Sequence, residues 1–151
     1  MGDRYACTGR QDITTATPGD TSLSLNGVTT TRGRLYDFIL TCGGTPADNA
    51  IQWLARRFTA SGTGTAVTPA EVDLEGPPGL ITAEEDHTVE PTYTAAGELV
   101  DQIINQRAAF RWVAPPGGEL MIPATSDAGI GFAAFHASYT GSAEVSAYWL
   151  E

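Results

Sequence analysis

The sequence predicts an all-β domain, built as a single jelly roll or as another β-sandwich or barrel. Short runs alternate apolar and polar residues with a period of two, which is typical of strands buried on one side. Clusters of glycine, proline and asparagine separate these runs and indicate turns. The runs amount to about eight or nine strands at a spacing of roughly ten residues, which favours a sandwich or barrel. We find no repeat of fixed period, which argues against a propeller or solenoid.

The chain of 151 residues is expected to form one domain with an N-terminal extension. Residues 1–21 are mostly small and polar and end in a Thr-Pro-Gly-Asp turn signal, so we expect an extended N-terminal arm. The β jelly-roll domain then takes residues 22–151. A frayed terminus is the alternative, but in it the side chains of Tyr5 and Ile13 would have nothing to pack against. We therefore expect these two side chains to contact a neighbouring subunit.

The first strands of the domain follow from apolar alternation and turn chemistry. Residues 22–28 alternate Leu23 and Leu25 and close in an Asn-Gly turn, which predicts a short strand. Residues 34–42 are rich in β-forming side chains and predict a second strand. Residues 50–60 fit a helix, with Pro46 at a possible first helical position, as well as a strand. The surrounding β-signals favour a strand.

The second half of the domain is predicted in the same way. Residues 87–93 and 99–105 read as strands separated by an Ala-Ala-Gly turn. Residues 129–137 and 143–150 alternate large and small or apolar and polar side chains, with a turn at 139–142 between them. Each of these segments therefore adds one strand to the sheets.

The stretch NQRAAFRWVAPPGGELMIP, residues 105–123, is predicted to be a β-hairpin that organises the core. Phe110, Trp112 and Ala114 share one face of the first run. The Pro-Pro-Gly-Gly sequence at 115–118 breaks regular structure and reverses the chain, because proline restricts φ and glycine allows φ > 0. The second run, ELMIP, would then return beside the first.

Charge excludes some classes of partner and suggests another. A net charge of −10 argues against nucleic acid or an anionic membrane surface as partner. All eight basic residues are arginines, which suit interfaces, although the base composition of a GC-rich genome would explain this equally. No basic residue occurs between Arg57 and Arg107, so this part is acidic. Arg56, Arg57, Arg107 and Arg111 could pair with the acidic part of a neighbouring copy; an ordinary polar face is the alternative.

We predict no catalytic residues, metal site or cofactor. The histidines are His87 and His136, and the sequence places neither beside a nucleophile; a Gly-x-Ser-x-Gly elbow is missing. The Glu-Glu-Asp-His run ending at His87 could hold a hard cation, but it lacks the spacing of a calcium loop, so a solvated acidic loop is expected. The tryptophans at 53, 112 and 149 could form a sugar-stacking platform, but their apolar surroundings favour the core for at least two of them.

Cysteine usage and hydropathy indicate translation in a cytoplasm. Cys7 and Cys42 have no metal-ligand spacing, so we expect free thiols, with a disulfide as the alternative. The first ten residues have no apolar core of a signal peptide, and no run approaches the length of a membrane span.

Four segments carry a resemblance to a known group of proteins: RGRLYDFILTCGGTPADNAIQWLARRFTASGTGTAVTP, HTVEPTYTA, NQRAAFRWVAPPGGELMIPAT and GIGFAAF. They resemble segments of small structural proteins encoded by tailed bacteriophages, and the resemblance covers most of the chain after Thr29. The better understood members of this size are head decoration (cement) proteins.

The resemblance implies a compact, β-rich, non-enzymatic protein that stabilises the head. It implies the major capsid protein as partner, a homotrimer on the outer capsid surface, and assembly in the host cytoplasm. No catalytic residues transfer, since this group supplies none. A virion adhesion or carbohydrate-binding module is the alternative, because jelly rolls also serve as lectins. A small jelly-roll enzyme is the third possibility.

Overall fold

The computed structural model describes residues 2–13, 20–135 and 141–151, and every regular element in these ranges is a β-strand. The strands pair into two antiparallel six-stranded sheets that pack as a β-sandwich, which confirms the predicted all-β class. No helix in this part of the chain could cross a membrane. The strands are β1 (Arg4–Ile13), β2 (Asp20–Asn26), β3 (Gly33–Cys42), β4 (Ala50–Ala60), β5 (Thr63–Val67), β6 (Ala70–Glu71), β7 (Thr82–Val89), β8 (Thr92–Asn105), β9 (Phe110–Val113), β10 (Leu120–Ile122), β11 (Gly129–Phe135) and β12 (Gly141–Leu150).

The strand order interleaves distant parts of the sequence. The first sheet has the order β10-β3-β12-β1-β6, with β9 also paired to β3. The second sheet has the order β5-β7-β2-β11-β4-β8. Most neighbouring strands in each sheet are far apart in the sequence. Their pairing therefore depends on long-range contacts that the local sequence does not indicate.

A single apolar core lies between the sheets. Alternate residues of β12, ending at Trp149, point into it and are completely buried. The sheets meet at Phe38 and Phe132, whose ring centroids are 5.0 Å apart, and Trp112 stacks on Phe38 at 5.2 Å. Such aromatic side chains bury large areas and dominate the energetics of a core.

Strand β3 contains a bulge at Tyr36. Tyr148 of β12 pairs with Asp37, whereas the next residue, Trp149, pairs with Leu35. Tyr36 is therefore an extra residue, and a bulge of this kind shifts the alternation of the strand. As a result Leu35 and Phe38 both face the core, while Asp37 lies beside Tyr148 on the outer face.

The predicted hairpin at 105–123 is wrong, although both of its strands exist. Strands β9 and β10 each pair with β3 and not with one another, opposite residues 37–40 and 33–35. The amide of Ala114 also donates to the carbonyl of Tyr36, at 2.8 Å. The Pro-Pro-Gly-Gly turn thus returns the chain to the same neighbour and interrupts one edge strand. An interrupted edge is a poor template for unwanted strand pairing.

The extended N-terminal arm is not observed in the residues that can be described. Strand β1 pairs with β12 over ten residues, from Arg4 opposite Leu150 to Ile13 opposite Gly141. Tyr5 is 2% exposed and Ile13 is fully buried, so both belong to the core. Their expected contact with a neighbouring subunit is therefore wrong. Residues 14–19 of the predicted arm lie outside the described ranges.

The other strand predictions have mixed outcomes. The choice of a strand at 50–60 is confirmed by β4, which covers the same residues. The two strands predicted at 87–93 and 99–105 are divided differently, into β7 and a 14-residue β8. The turn predicted between them is an irregularity within β8, where Ala96 has a φ of 55°. Residues 139 and 140 of the predicted turn at 139–142 lie outside the described ranges, and residues 141 and 142 begin β12.

We predict that Ile13→Ala lowers the free energy of unfolding by about 2–5 kcal/mol, because it leaves a cavity in the core. Arg10→Ala, on the exposed side of the same strand, is the control and should change it by less than about 0.5 kcal/mol. Denaturant unfolding followed by circular dichroism measures both. Equal, negligible effects of the two substitutions would mean that β1 is an arm after all.

Candidate functional site

His87 is held in a buried hydrogen-bond network between strands. Its Nε2 lies 3.1 Å from the hydroxyl of Ser24, and its Nδ1 lies 3.1 Å from the carbonyl of Thr21. The carbonyl requires a proton on Nδ1, so Nε2 accepts from Ser24. Its amide donates to Gln11 Oε1 at 2.6 Å, which ties β7 to β1. Ser24 is fully buried and His87 is 6% exposed, so this serine–histidine pair joins strands and does not face a substrate.

Burial lowers the pKa of His87 from its ordinary value of 6.5. The hydrogen bond to the Thr21 carbonyl and the charges of Glu84 and Asp86 oppose this shift but do not cancel it. The neutral form of the imidazole is therefore favoured, because the charged form loses its hydration when the ring is buried.

A second polar cluster covers the outer face of the second sheet. The carboxylate of Glu90 accepts from the amide of Thr21 at 3.1 Å and from its hydroxyl, and the Tyr93 hydroxyl lies 2.6 Å from the same Thr21 oxygen. Burial raises the pKa values of both Glu90 and Tyr93. Arg56 stacks 4.6 Å above the Tyr93 ring and pairs with Glu98 at 3.5 Å. The cluster thus fixes the start of β8.

Sequence reasoning missed this second cluster, but a glycine in β11 carries a signal for it. A Cβ added at Gly131 would lie 2.4 Å from the Tyr93 hydroxyl. Only glycine leaves room for the ring to lie against the sheet at this point.

Three of the four arginines predicted to form an interface have acidic partners within their own chain. Arg56 pairs with Glu98, and Arg107 pairs with Asp48 at 3.5 Å and donates to a backbone carbonyl. Arg57 is exposed and has no ion pair within the described ranges. A neighbouring copy is therefore not needed to neutralise Arg56 or Arg107.

Arg111 forms the most enclosed of these ion pairs, with Asp37. Its Nε donates to both carboxylate oxygens, at 3.0 and 3.2 Å, and its Nη2 binds the second oxygen as well. The Asp37 side chain is only 8% exposed, whereas that of Arg111 is 61% exposed. Because a buried carboxylate without a partner is costly, Arg111 has a structural role that the sequence did not predict.

The Glu-Glu-Asp-His run at residues 84–87, which was predicted to be a solvated loop, is instead part of β7. Its Glu85 carboxylate accepts from the amide of Arg10 at 2.9 Å and so covers part of the free edge of β1. Among the residues described, no three side chains of histidine, cysteine, aspartate or glutamate come together as metal ligands.

The outer face of the first sheet carries a cluster that we call the Arg–Tyr face, formed by Arg4, Arg34, Tyr36, Arg111 and Tyr148. Strand register places these side chains on one side, since Arg4 and Arg34 both lie opposite Leu150 of β12. Burial raises the pKa of Tyr36, and the charge of Arg4 opposes that shift, so the two groups are close.

Two adjoining cavities open at the end of the sandwich where β1 begins. One, of about 250 Å³, is lined by residues that include Tyr5, Pro77 and Leu80; the other, of about 260 Å³, includes Arg32. Glu151 lines both. Its carboxylate accepts from the amides at 80 and 81 and from an indole N–H, at 2.8 to 3.0 Å. This acid is therefore committed to holding the structure and is not a free catalytic group.

The tryptophans do not form a sugar-stacking platform in the described structure. Trp53 and Trp149 are at most 1% exposed, which confirms the core position predicted for at least two of the three, and Trp112 packs on Phe38. The thiols of residues 7 and 42 are not joined to each other by a disulfide. Burial raises the pKa of Cys7 to about 11, so its reactive thiolate form is disfavoured.

Comparison of the chain with models of protein families, with curated proteins and with solved structures finds no match. The function proposed below therefore rests on the resemblance of the four sequence segments together with the chain's own residues and surfaces.

We expect the pH dependence of stability to report on His87. Unfolded histidine binds a proton below about pH 6.5, while the buried ring does so only at lower pH, so the free energy of unfolding should fall as pH decreases from 6.5. His87→Gln should remove this part of the loss. Glu90 has the opposite sign, because its raised pKa favours folding under acid conditions, and it is common to both proteins. Equal slopes between pH 7 and pH 5 for the two proteins would contradict a buried neutral histidine.

A third prediction separates a structural arginine from a surface one. Arg111→Glu places a second carboxylate against Asp37 and should lower the melting temperature clearly. Arg57→Glu makes the same charge change at an exposed position that forms no ion pair with the described residues, and it should have little effect. Differential scanning calorimetry compares them; similar melting temperatures for the two variants would show that the Asp37 pair is dispensable.

Proposed function

We propose that the chain is a non-enzymatic decoration (cement) protein of a bacteriophage head. It binds the major capsid protein on the outer surface of the capsid and acts there as a homotrimer. The protein is located on the surface of the virion head, which is assembled in the host cytoplasm.

The observation that carries this proposal is a contrast between two sets of side chains. Polar groups that could act in catalysis are engaged in structural hydrogen bonds, whereas apolar and arginine side chains are exposed. The groups that could support catalysis, among them Ser24, His87 and Glu151, are engaged in bonds that hold strands together. The exposed features include apolar side chains, such as Leu74 and Leu80, and the arginines of the Arg–Tyr face. Exposed apolar patches and arginine with aromatic side chains are typical of protein interfaces.

The form of the domain suits a protein that reinforces a lattice. A sandwich with one continuous core is rigid, so little conformational freedom is lost when it binds. A closed homo-oligomer matches the local symmetry of a shell. The net charge of −10 would keep decorated particles apart in solution.

The alternative of a carbohydrate-binding module receives less support from the side chains. Two of its three predicted stacking residues, Trp53 and Trp149, are buried, so substituting them would test folding and not sugar binding. The small-enzyme alternative also receives little support, because His87 is buried and the Glu85 carboxylate is bound by the amide of Arg10 at the edge of β1.

The proposal is tested by rebinding of the purified protein to heads that lack it. We expect saturable binding and a higher melting temperature of the heads, because a ligand that binds only the intact shell stabilises it. Absence of binding by the unmodified protein would refute the cement function.

A further inference from the structure

The segment of residues 71–76 forms a projecting acidic loop whose shape is fixed by its own hydrogen bonds. The amide of Val72 donates to the carbonyl of Arg4 at 2.9 Å, and the amide of Gly76 donates to the carbonyl of Asp73 at 2.9 Å. The Asp73 side chain accepts from the amide of Glu75 at 3.2 Å. The acidic loop is therefore ordered before any partner binds, which reduces the entropic cost of binding.

This loop presents apolar side chains between its acids. Leu74 is 98% exposed and Val72 is 46% exposed, with Leu80 nearby in the chain at 53%. The acids Glu71, Asp73 and Glu75 alternate with them in the sequence. A single exposed leucine is unremarkable, but an exposed group of apolar side chains on a fixed loop is typical of a contact surface.

The Arg–Tyr face offers the opposite charge. Arg4 and Arg34 are exposed and form no ion pair with any described residue. Tyr36 and Tyr148 are half-buried beside them, and Val113 adds an apolar side chain that is 57% exposed. Arginine and tyrosine at the centre of an exposed area are the residues that contribute most to binding in protein interfaces.

We propose that the acidic loop of one copy docks on the Arg–Tyr face of a second copy. Asp73 and Glu75 meet Arg4 and Arg34, and Leu74 packs against the apolar part of the face. The acidic loop does not cover the Arg–Tyr face of its own molecule. The hydrogen bond from the Val72 amide to the Arg4 carbonyl fixes the loop in a position where Leu74 stays exposed.

A second copy is the occupant that the charges favour. The chain has an excess of ten negative charges, yet this face carries two arginines without acidic partners among the described residues. The contact joins the loop of one copy to the face of another, so copies form a reciprocal pair or, when the rotation allows, a closed ring. The inference rests on the homo-oligomer of the proposed function and not on capsid binding.

Sedimentation velocity of the purified full chain tests this contact. We expect concentration-dependent association that weakens with salt, because exposed opposite charges are screened. Leu74→Glu should weaken association by at least about tenfold in Kd, and Ile103→Glu should leave it unchanged. A protein that stays monomeric up to about 1 mM would overturn the proposal. So would association that Ile103→Glu abolishes and Leu74→Glu does not.

A charge exchange gives a sharper test of the partners. Glu75→Arg alone and Arg34→Glu alone should each weaken association, since each places like charges together. The double variant should recover much of it, because the attraction is restored in reverse. Additive losses in the double variant would overturn the assigned contact even if the protein associates.

Rebinding to heads separates this inference from the proposed function. If the unmodified protein binds heads but stays monomeric in solution, the contact is wrong and the cement function stands. If it self-associates through the exchanged charges but does not bind heads, the contact stands and the cement function is wrong.

Discussion

Strand β1 pairs with β12 over ten residues, and the rest of the molecule is built around this pair. On its inner side the pair supplies Tyr5 and Trp149, whose rings stack with centroids 6.0 Å apart. On its outer side it supplies Arg4 and Tyr148 of the Arg–Tyr face. The carbonyl of Arg4 also holds the acidic loop. Core, face and loop therefore depend on one set of backbone hydrogen bonds.

The edges of the two sheets differ in how far they are protected from backbone pairing with another chain. This difference affects where partners can bind. The β9 and β10 edge is interrupted at the Pro-Pro-Gly-Gly turn, and Glu85 occupies part of the edge of β1. Both arrangements discourage pairing through the backbone. Strand β8 is a longer edge, and it begins at the buried cluster around Tyr93. Side-chain surfaces are thus better placed than most edges to give specific contacts.

The sequence predicted the class of fold because alternation and turn residues are local properties. It also predicted a strand at β4, where neighbouring β-signals outweighed helical spacing. It failed where pairing is long-range. The partner of β1 is β12, at the other end of the chain, and the scarcity of large apolar residues in β1 made it resemble an arm. The proline–glycine turn does redirect the chain, but the returning strand meets β3 again.

The candidate site was harder to predict, because ion pairs join residues far apart in the sequence. Arg111 and Asp37 are 74 positions apart, and nothing local to either residue indicates the other. Four arginines were assigned to an interface on charge alone, and three of them have partners inside the chain. Arg4 and Arg34 received no such role, since their shared face is defined only by the register of β1, β12 and β3.

Electron cryo-microscopy of heads decorated with the purified protein tests the central claim most directly. Our account predicts density for this sandwich on the outer surface of the shell, grouped around symmetry positions. Neighbouring copies should meet with the acidic loop of one against the Arg–Tyr face of the next. Undecorated heads, or copies that touch only through the β8 edge, would contradict it.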